Sequence, residues 1–166
     1  MTEERLKVLK VMNEVTGRLD LNEFARIVGL SPKQTVEQMQ ELVKANLLRK
    51  VGNGYGMTEK GRAALRAFSR VPSEMEFKFY MGIGQPSGFV AKSLKDFCEA
   101  ILQVGVDSLE FHLYREDFEN WIRFAVKDAA FADEFKNMRS MQLKGEDLRK
   151  EIIKAAEARY AFQKLL

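Results

Sequence analysis

Only three residues, Gly29, Leu30 and Ser31, separate two stretches that each read as an amphipathic helix. That corner is the tightest constraint in the 166-residue chain, because so short a connection forces the two helices into contact. Before it, Asp20 and Glu23 have the spacing of a capping box, and Phe24, Ala25 and Val28 form an apolar face that stops at Gly29. After it, Ser31 can cap a helix, Pro32 suits the first helical position and Gln34 sits at N3. The second helix runs to about Ala45, with Val36, Met39, Leu42 and Val43 as its apolar face.

The flanking segments extend the pattern. Residues 3–16 carry Leu6, Leu9, Met12 and Val15 on one stripe, and Gly17 is the expected helix end. Beyond the helix pair, Leu47–Val51 reads as a strand and Tyr55–Met57 as a return strand, joined through Gly52-Asn53-Gly54. Thr58 then caps a helix from Glu59 to about Ser69 that carries Ala63, Ala64, Leu65 and Phe68.

This order, with the runs Leu30-Ser31-Pro32-Lys33-Gln34-Thr35-Val36, Leu42-Val43-Lys44-Ala45-Asn46-Leu47-Leu48 and Gly54-Tyr55-Gly56-Met57-Thr58-Glu59-Lys60-Gly61, resembles the winged helix-turn-helix domains common among prokaryotic transcription regulators. The resemblance covers residues 3–69. It implies that the second helix of the pair enters the major groove of duplex DNA while the hairpin, or wing, touches the backbone or minor groove. The implied contacts are Lys33, Gln34, Thr35, Gln38 and Lys44 on the helix, Arg49, Lys50 and Asn53 on the wing, and Lys60 and Arg62 behind it. Gln can form paired hydrogen bonds with adenine, and Lys can reach guanine or a phosphate. Glu37 and Glu41 offset Lys33 and Lys44, however, so positive charge gathers instead at Arg49, Lys50, Lys60, Arg62 and Arg66. Charge at those positions suits contacts to the DNA backbone. It equally suits the solvated face of a protein-binding adaptor, and both readings stay open.

Charge also divides the chain. Its net value of +3 conceals 13 basic and 8 acidic residues in 1–70, against 14 and 16 in 71–166. With Pro72 ending the preceding helix, the expected domains are 1–70 and 71–166. In the second, Met75 to Tyr80 alternates like a strand, and the stretch from Gly82 to Gly88 reads as a loop. That stretch precedes Lys92-Ser93 but is no phosphate-binding loop, since Ala91 and Pro86 stand where the motif needs glycine. Ser93 and Asp96 form a capping box instead, ahead of the stripe Leu94, Phe97, Cys98, Ile101 and Leu102. Cys98 within that stripe reads as a buried small hydrophobe.

The spacing S-L-x-x-H-x-x-R-x-D-F-x-x-W-I from Ser108 to Ile122 is similar to a motif in an uncharacterised prokaryotic family of mostly helical domains. It carries over a boundary and no activity. His112 and Arg115 share a helix face, and with Asp117 and Trp121 they read as a polar network joining two helices or as a ligand or partner pocket. No Ser or Cys completes a nucleophilic triad, so no catalytic residue is assigned and no enzyme is expected. Phe118, Trp121, Ile122 and Ala125 form one core face, while Phe131, Phe135 and Met138 form another after a cap at Asp128. A last helix, about Glu146 to Leu166, carries Leu148, Ile152, Ala155, Ala156, Arg159, Phe162 and Leu166. It either docks on its neighbours or pairs with a second copy, and a homodimer is expected because small domains gain from extra burial.

One cysteine and one histidine exclude an intrachain disulfide and zinc sites built from thiolates or several imidazoles, and no cofactor is implied. No apolar run reaches the roughly 18 residues of a membrane span, and the N-terminus lacks the apolar core of a secretory signal. The expectation is therefore a cytoplasmic, mainly α protein with a small β-hairpin. It binds double-stranded DNA to regulate transcription, and its C-terminal domain dimerises or senses a small-molecule effector. The alternative is a protein-interaction adaptor.

Overall fold

The computed structural model describes residues 1–15 and 17–162. These are mainly helical, with two antiparallel hairpins, and they divide into two compact units between Leu65 and Arg66.

The first unit contains α1 (Glu3–Glu14), α2 (Leu21–Val28), α3 (Pro32–Lys44), β1 (Leu48–Val51), β2 (Gly54–Met57) and the start of α4 (Glu59–Phe68). Its corner follows from local chemistry. Gly29 closes α2 at φ +82°, a conformation that costs glycine little. Ser31 Oγ accepts the Gln34 N–H at 3.1 Å, and Gln34 Oε1 accepts the Ser31 N–H at 3.1 Å, completing a capping box. The first helix departs from its expected form. It ends at Glu14 with an extended Val15, and Thr16 lies outside the described residues. Its buried side chains are Val8, Leu9 and Val11, because α1 meets α2, α3 and β2 and must bury a wider arc than one stripe.

In the hairpin, Leu48 pairs with Met57 and Val51 with Gly54, leaving Gly52-Asn53 as a two-residue turn. Gly52, at φ +58°, supplies the positive φ that the first central position of a type II′ turn requires. The chain entering the hairpin is fastened to the start of α4 through Thr58. Thr58 N–H donates to Leu47 O at 3.1 Å, the Thr58 hydroxyl donates to Asn46 O at 2.7 Å, and Gly61 N–H donates back to Thr58 Oγ1 at 2.9 Å. A Cβ on Gly61 would lie 2.1 Å from Leu47 O.

The second unit begins in the last turn of α4, at Arg66, rather than at the linker beyond Arg70. It continues through a short 3₁₀ turn into β3 (Phe77–Gly82), β4 (Gln85–Ala91), α5 (Leu94–Ile101), α6 (Val106–Tyr114), α7 (Asp117–Trp121), a π-helical turn (Ile122–Val126), α8 (Ala129–Ser140) and α9 (Gly145–Tyr160). The glycine-rich stretch expected to be a loop is a hairpin turn at Ile83-Gly84 followed by a strand. Pro86 and Gly88 are tolerated there because the pairing is irregular on either side of Tyr80. Ser87 Oγ donates to Phe79 O at 2.8 Å across that irregularity. Asp96 satisfies the N–H of Lys92, one residue before the expected partner, while Ser93 Oγ accepts the Asp96 N–H.

The unit packs around Phe77. Ring centroids of Phe79, Phe97, His112, Phe118 and Trp121 lie 4.8–5.8 Å from that of Phe77, mostly edge to face. Leu148, Ile152, Ala156 and Tyr160 of α9 are buried, and α9 packs on α5, α6 and α8. Its apolar face is therefore engaged within the chain; Leu166 lies outside the described residues. Asp128 caps α8 by accepting the Phe131 N–H at 3.2 Å. It also accepts Arg159 Nε at 2.7 Å, Arg159 Nη2 at 2.6 Å and the Tyr160 hydroxyl. Among the described residues no helix is long and apolar enough to cross a membrane.

Gly61→Ala tests the backbone fastening. Overpacking ordinarily costs about 1–3 kcal/mol, and here the methyl meets a carbonyl that cannot rotate away. The urea midpoint of unfolding is expected to fall by at least that equivalent; an unchanged midpoint would contradict the close approach.

Candidate nucleic-acid interface

The positions expected to contact DNA fall into two groups, those with an internal partner and those without. On α3, Thr35 is fully buried and its hydroxyl donates to Ser31 O at 2.9 Å, so it does not belong to an exposed reading face. Thr35 replaces an apolar residue at the inward edge of the helix, which the spacing of Val36 and Met39 conceals. The Gln34 side chain is part of the capping box. Gln38 Oε1 accepts Arg5 Nε at 3.4 Å, and Arg5 also approaches Glu41 at 3.6 Å. Lys44 Nζ donates to Glu41 Oε1 at 2.7 Å, and this bond holds the Glu41 carboxyl below its ordinary pKa. Lys33, in the first turn, is exposed and has no ion pair among the described residues.

Around the wing the division is similar. Lys60 Nζ donates to Ala45 O at 3.0 Å, satisfying the C-terminus of α3. Arg62 pairs with Glu59 at 2.6 Å but stays half exposed. Arg66, expected among the wing cations, lies 3.4 Å from Asp128 in the second unit and leaves that group. Arg49 and Lys50 on β1 and Asn53 at the turn are exposed, without side-chain partners among the described residues. The set available to a phosphate is therefore narrower than composition suggests: Lys33, Arg49 and Lys50 stand free, with Arg62 shared. Arg18, exposed after α1, is a further free cation that no sequence signal singled out.

His112, Arg115 and Asp117 do converge. The Tyr80 N–H donates to His112 Nε2 at 2.8 Å, so that nitrogen is unprotonated and Nδ1 carries the hydrogen. Nδ1–H then donates to Asp117 Oδ2 at 2.8 Å, and Arg115 Nε donates to the same oxygen at 3.3 Å. The Arg115 guanidinium lies over the Phe111 ring, 4.8 Å from its centroid. Trp121 Nε1 donates to Met75 O at 2.6 Å. The motif thus hooks β3 and its approach onto α6 and α7. Burial lowers the His112 pKa, outweighing the upward pull of Asp117, and Arg115 lowers it further. A shallow cavity of about 640 Å³ passes over His112, Arg115 and Asp117 but not Trp121. Cys98 is pushed up to about 12 by burial and by Glu157 and Glu99, which makes it a poor thiolate.

No family model matches the sequence, and no curated protein or solved structure matches it.

Because His112 binds its proton less readily in the native state than in the unfolded chain, its contribution to stability is fully present above the ordinary histidine value of 6.5. It is lost as pH falls below that value toward the depressed native one. The Tm is expected to drop between about pH 7 and about pH 5, and His112→Gln should flatten that drop. Asp117→Ala, which strands the Nδ1–H, should destabilise by about 1–3 kcal/mol in chemical denaturation. No loss would show that the network does not hold β3 in place.

Proposed function

We propose that the first unit is a winged helix-turn-helix module that binds duplex DNA chiefly through its backbone, in a cytoplasmic transcription regulator whose second unit serves dimerisation or effector sensing. The observation that carries this reading is the placement of the free cations. Lys33 lies in the first turn of α3, and Arg49 and Lys50 lie on the wing strand, the positions from which this architecture reaches DNA. The first turn of α3 has no acidic residue, unlike those of α1, α2 and α4. A helix N-terminus carrying a lysine and no carboxylate favours an anion such as phosphate.

The neutralised remainder of α3 supports backbone clamping over base reading, since Lys44 and Arg5 are both drawn to Glu41. The same pairing favours a second reading, an adaptor whose α3 meets a protein. A homodimer, under either reading, would need a surface other than the apolar face of α9.

Fluorescence anisotropy of the full chain with random-sequence duplex at about 50 mM salt separates the two readings, because non-specific affinity rises steeply as salt falls. Binding is expected to weaken with salt at a slope of about −0.9 per phosphate contact. The double substitution Arg49→Ala and Lys50→Ala should remove close to two contacts' worth, about 1.8, from that slope. Absence of binding at micromolar protein would favour the adaptor.

A further inference from the structure

The first unit contains a cavity of about 580 Å³ bounded on one side by the wing and on the others by α1, the segment after it, α2 and α3. That volume lies within the span of small-molecule sites, and so does its makeup of apolar walls with a few polar groups. Phe24 and Met39, both buried, line it together with Met12 and Met57. Flexible thioethers adapt readily to a hydrocarbon guest. Leu19 and Leu21 stand at the cavity edge, 37% and 42% exposed, so that apolar surface is left in water where a ligand would cover it.

Charge identifies the guest. Among the described residues, the charged side chains lining the cavity are Arg18 and Arg62, with no carboxylate among them. Arg18 has no partner among the described residues, and Arg62 has only exposed Glu59, which does not line the cavity. Two arginines among mostly apolar lining residues suit a single carboxylate head on a hydrocarbon body, because a guanidinium fork can bond both carboxylate oxygens at once.

We propose that this cavity binds a small amphipathic carboxylate and that its occupancy weakens the grip of the wing on DNA. The head group would draw on Arg18 and compete with phosphate for Arg62, while the body would pack between Tyr55 of the wing and Met39 of α3. The regulatory half rests on the DNA-binding reading above; the binding half does not.

The test titrates the full chain with decanoate and, separately, with decanol, both below aggregation, by calorimetry and thermal shift. Decanoate is expected to bind and raise the Tm, and decanol to bind at least about tenfold more weakly, the scale of one charge-assisted hydrogen bond. Arg18→Ala, an exposed substitution, should weaken decanoate by about tenfold and leave decanol and the ligand-free Tm unchanged. Arg18→Lys should recover part of the loss. No decanoate binding, or equal binding of acid and alcohol, overturns the site. Anisotropy with duplex DNA is then repeated with and without decanoate. Release of DNA supports the regulatory half, and unchanged affinity with bound decanoate overturns it. A chain that binds decanoate but never DNA supports the cavity and overturns the DNA reading instead.

Discussion

A buried carboxylate is costly unless donors surround it, and the second unit is organised around one that is surrounded. Asp128 is almost wholly inaccessible, and burial alone would raise its pKa. The hydrogen bonds from Arg159, Tyr160 and the Phe131 N–H outweigh that, and the group is held below the usual carboxylate range. The groups that meet Asp128 come from three places in the chain: Phe131 at the start of α8, Arg159 and Tyr160 at the end of α9, and the Arg66 guanidinium, 3.4 Å away, in the last turn of α4. The preceding π-helical turn ends at Lys127 in the left-handed region, φ 63°, and that reversal delivers Asp128 inward. Once the three ends are fixed, Phe131 packs edge-on against Tyr160 and Phe135, and Phe135 joins the aromatic cluster around Phe77. Burial and Asp128 both raise the Tyr160 pKa, so its hydroxyl stays a donor.

The first unit is held differently. Its interior is mostly aliphatic, with Phe24 and Thr35 as the exceptions among the described residues, and its tightest joint is the meeting of Leu47, Thr58 and Gly61. Its charged side chains therefore remain on the surface, where many are occupied by neighbours. Lys44 answers Glu41, Arg62 answers Glu59 and Lys60 answers a helix terminus. The basic excess of residues 1–70 overstates the positive surface that a partner would meet.

Much of the first unit was legible because local chemistry dictates it. Glycine at Gly29, the Ser31–Gln34 reciprocal cap and the Thr58 cap each act within a few residues. The same holds for Asp128 as a cap, though its partners on α9 lie 31 and 32 residues away and left no local trace. The return strand β4 was masked by Pro86 and Gly88, ordinarily strand breakers, whose tolerance depends on a pairing irregularity set by β3. His112 stood out as a polar residue near Asp117, but its bond to the Tyr80 N–H spans 32 residues and decides its tautomer. In the candidate interface, Arg49 and Lys50 are exposed as their residue type suggests, whereas Lys60 is drawn to a helix terminus and Arg66 belongs to the second unit. Thr35 was misplaced because a hydroxyl bonded to its own helix can stand in a core position.

The last turn of α4 belongs to the second unit, and this has a practical meaning for anyone dividing the chain. A cut at the Pro72 turn, the natural choice from composition, would remove Arg66 and Phe68 from the half that uses them. Phe68 packs edge-on against Phe162, with ring centroids 6.0 Å apart, and Arg66 neutralises part of the Asp128 charge. A fragment starting at Val71 would expose one aromatic ring to solvent and leave its central acid with one cation fewer. A fragment ending at Arg70 would carry both side chains with nothing to receive them. Separate halves made at that turn would report on the damage of separation as much as on the function of either half.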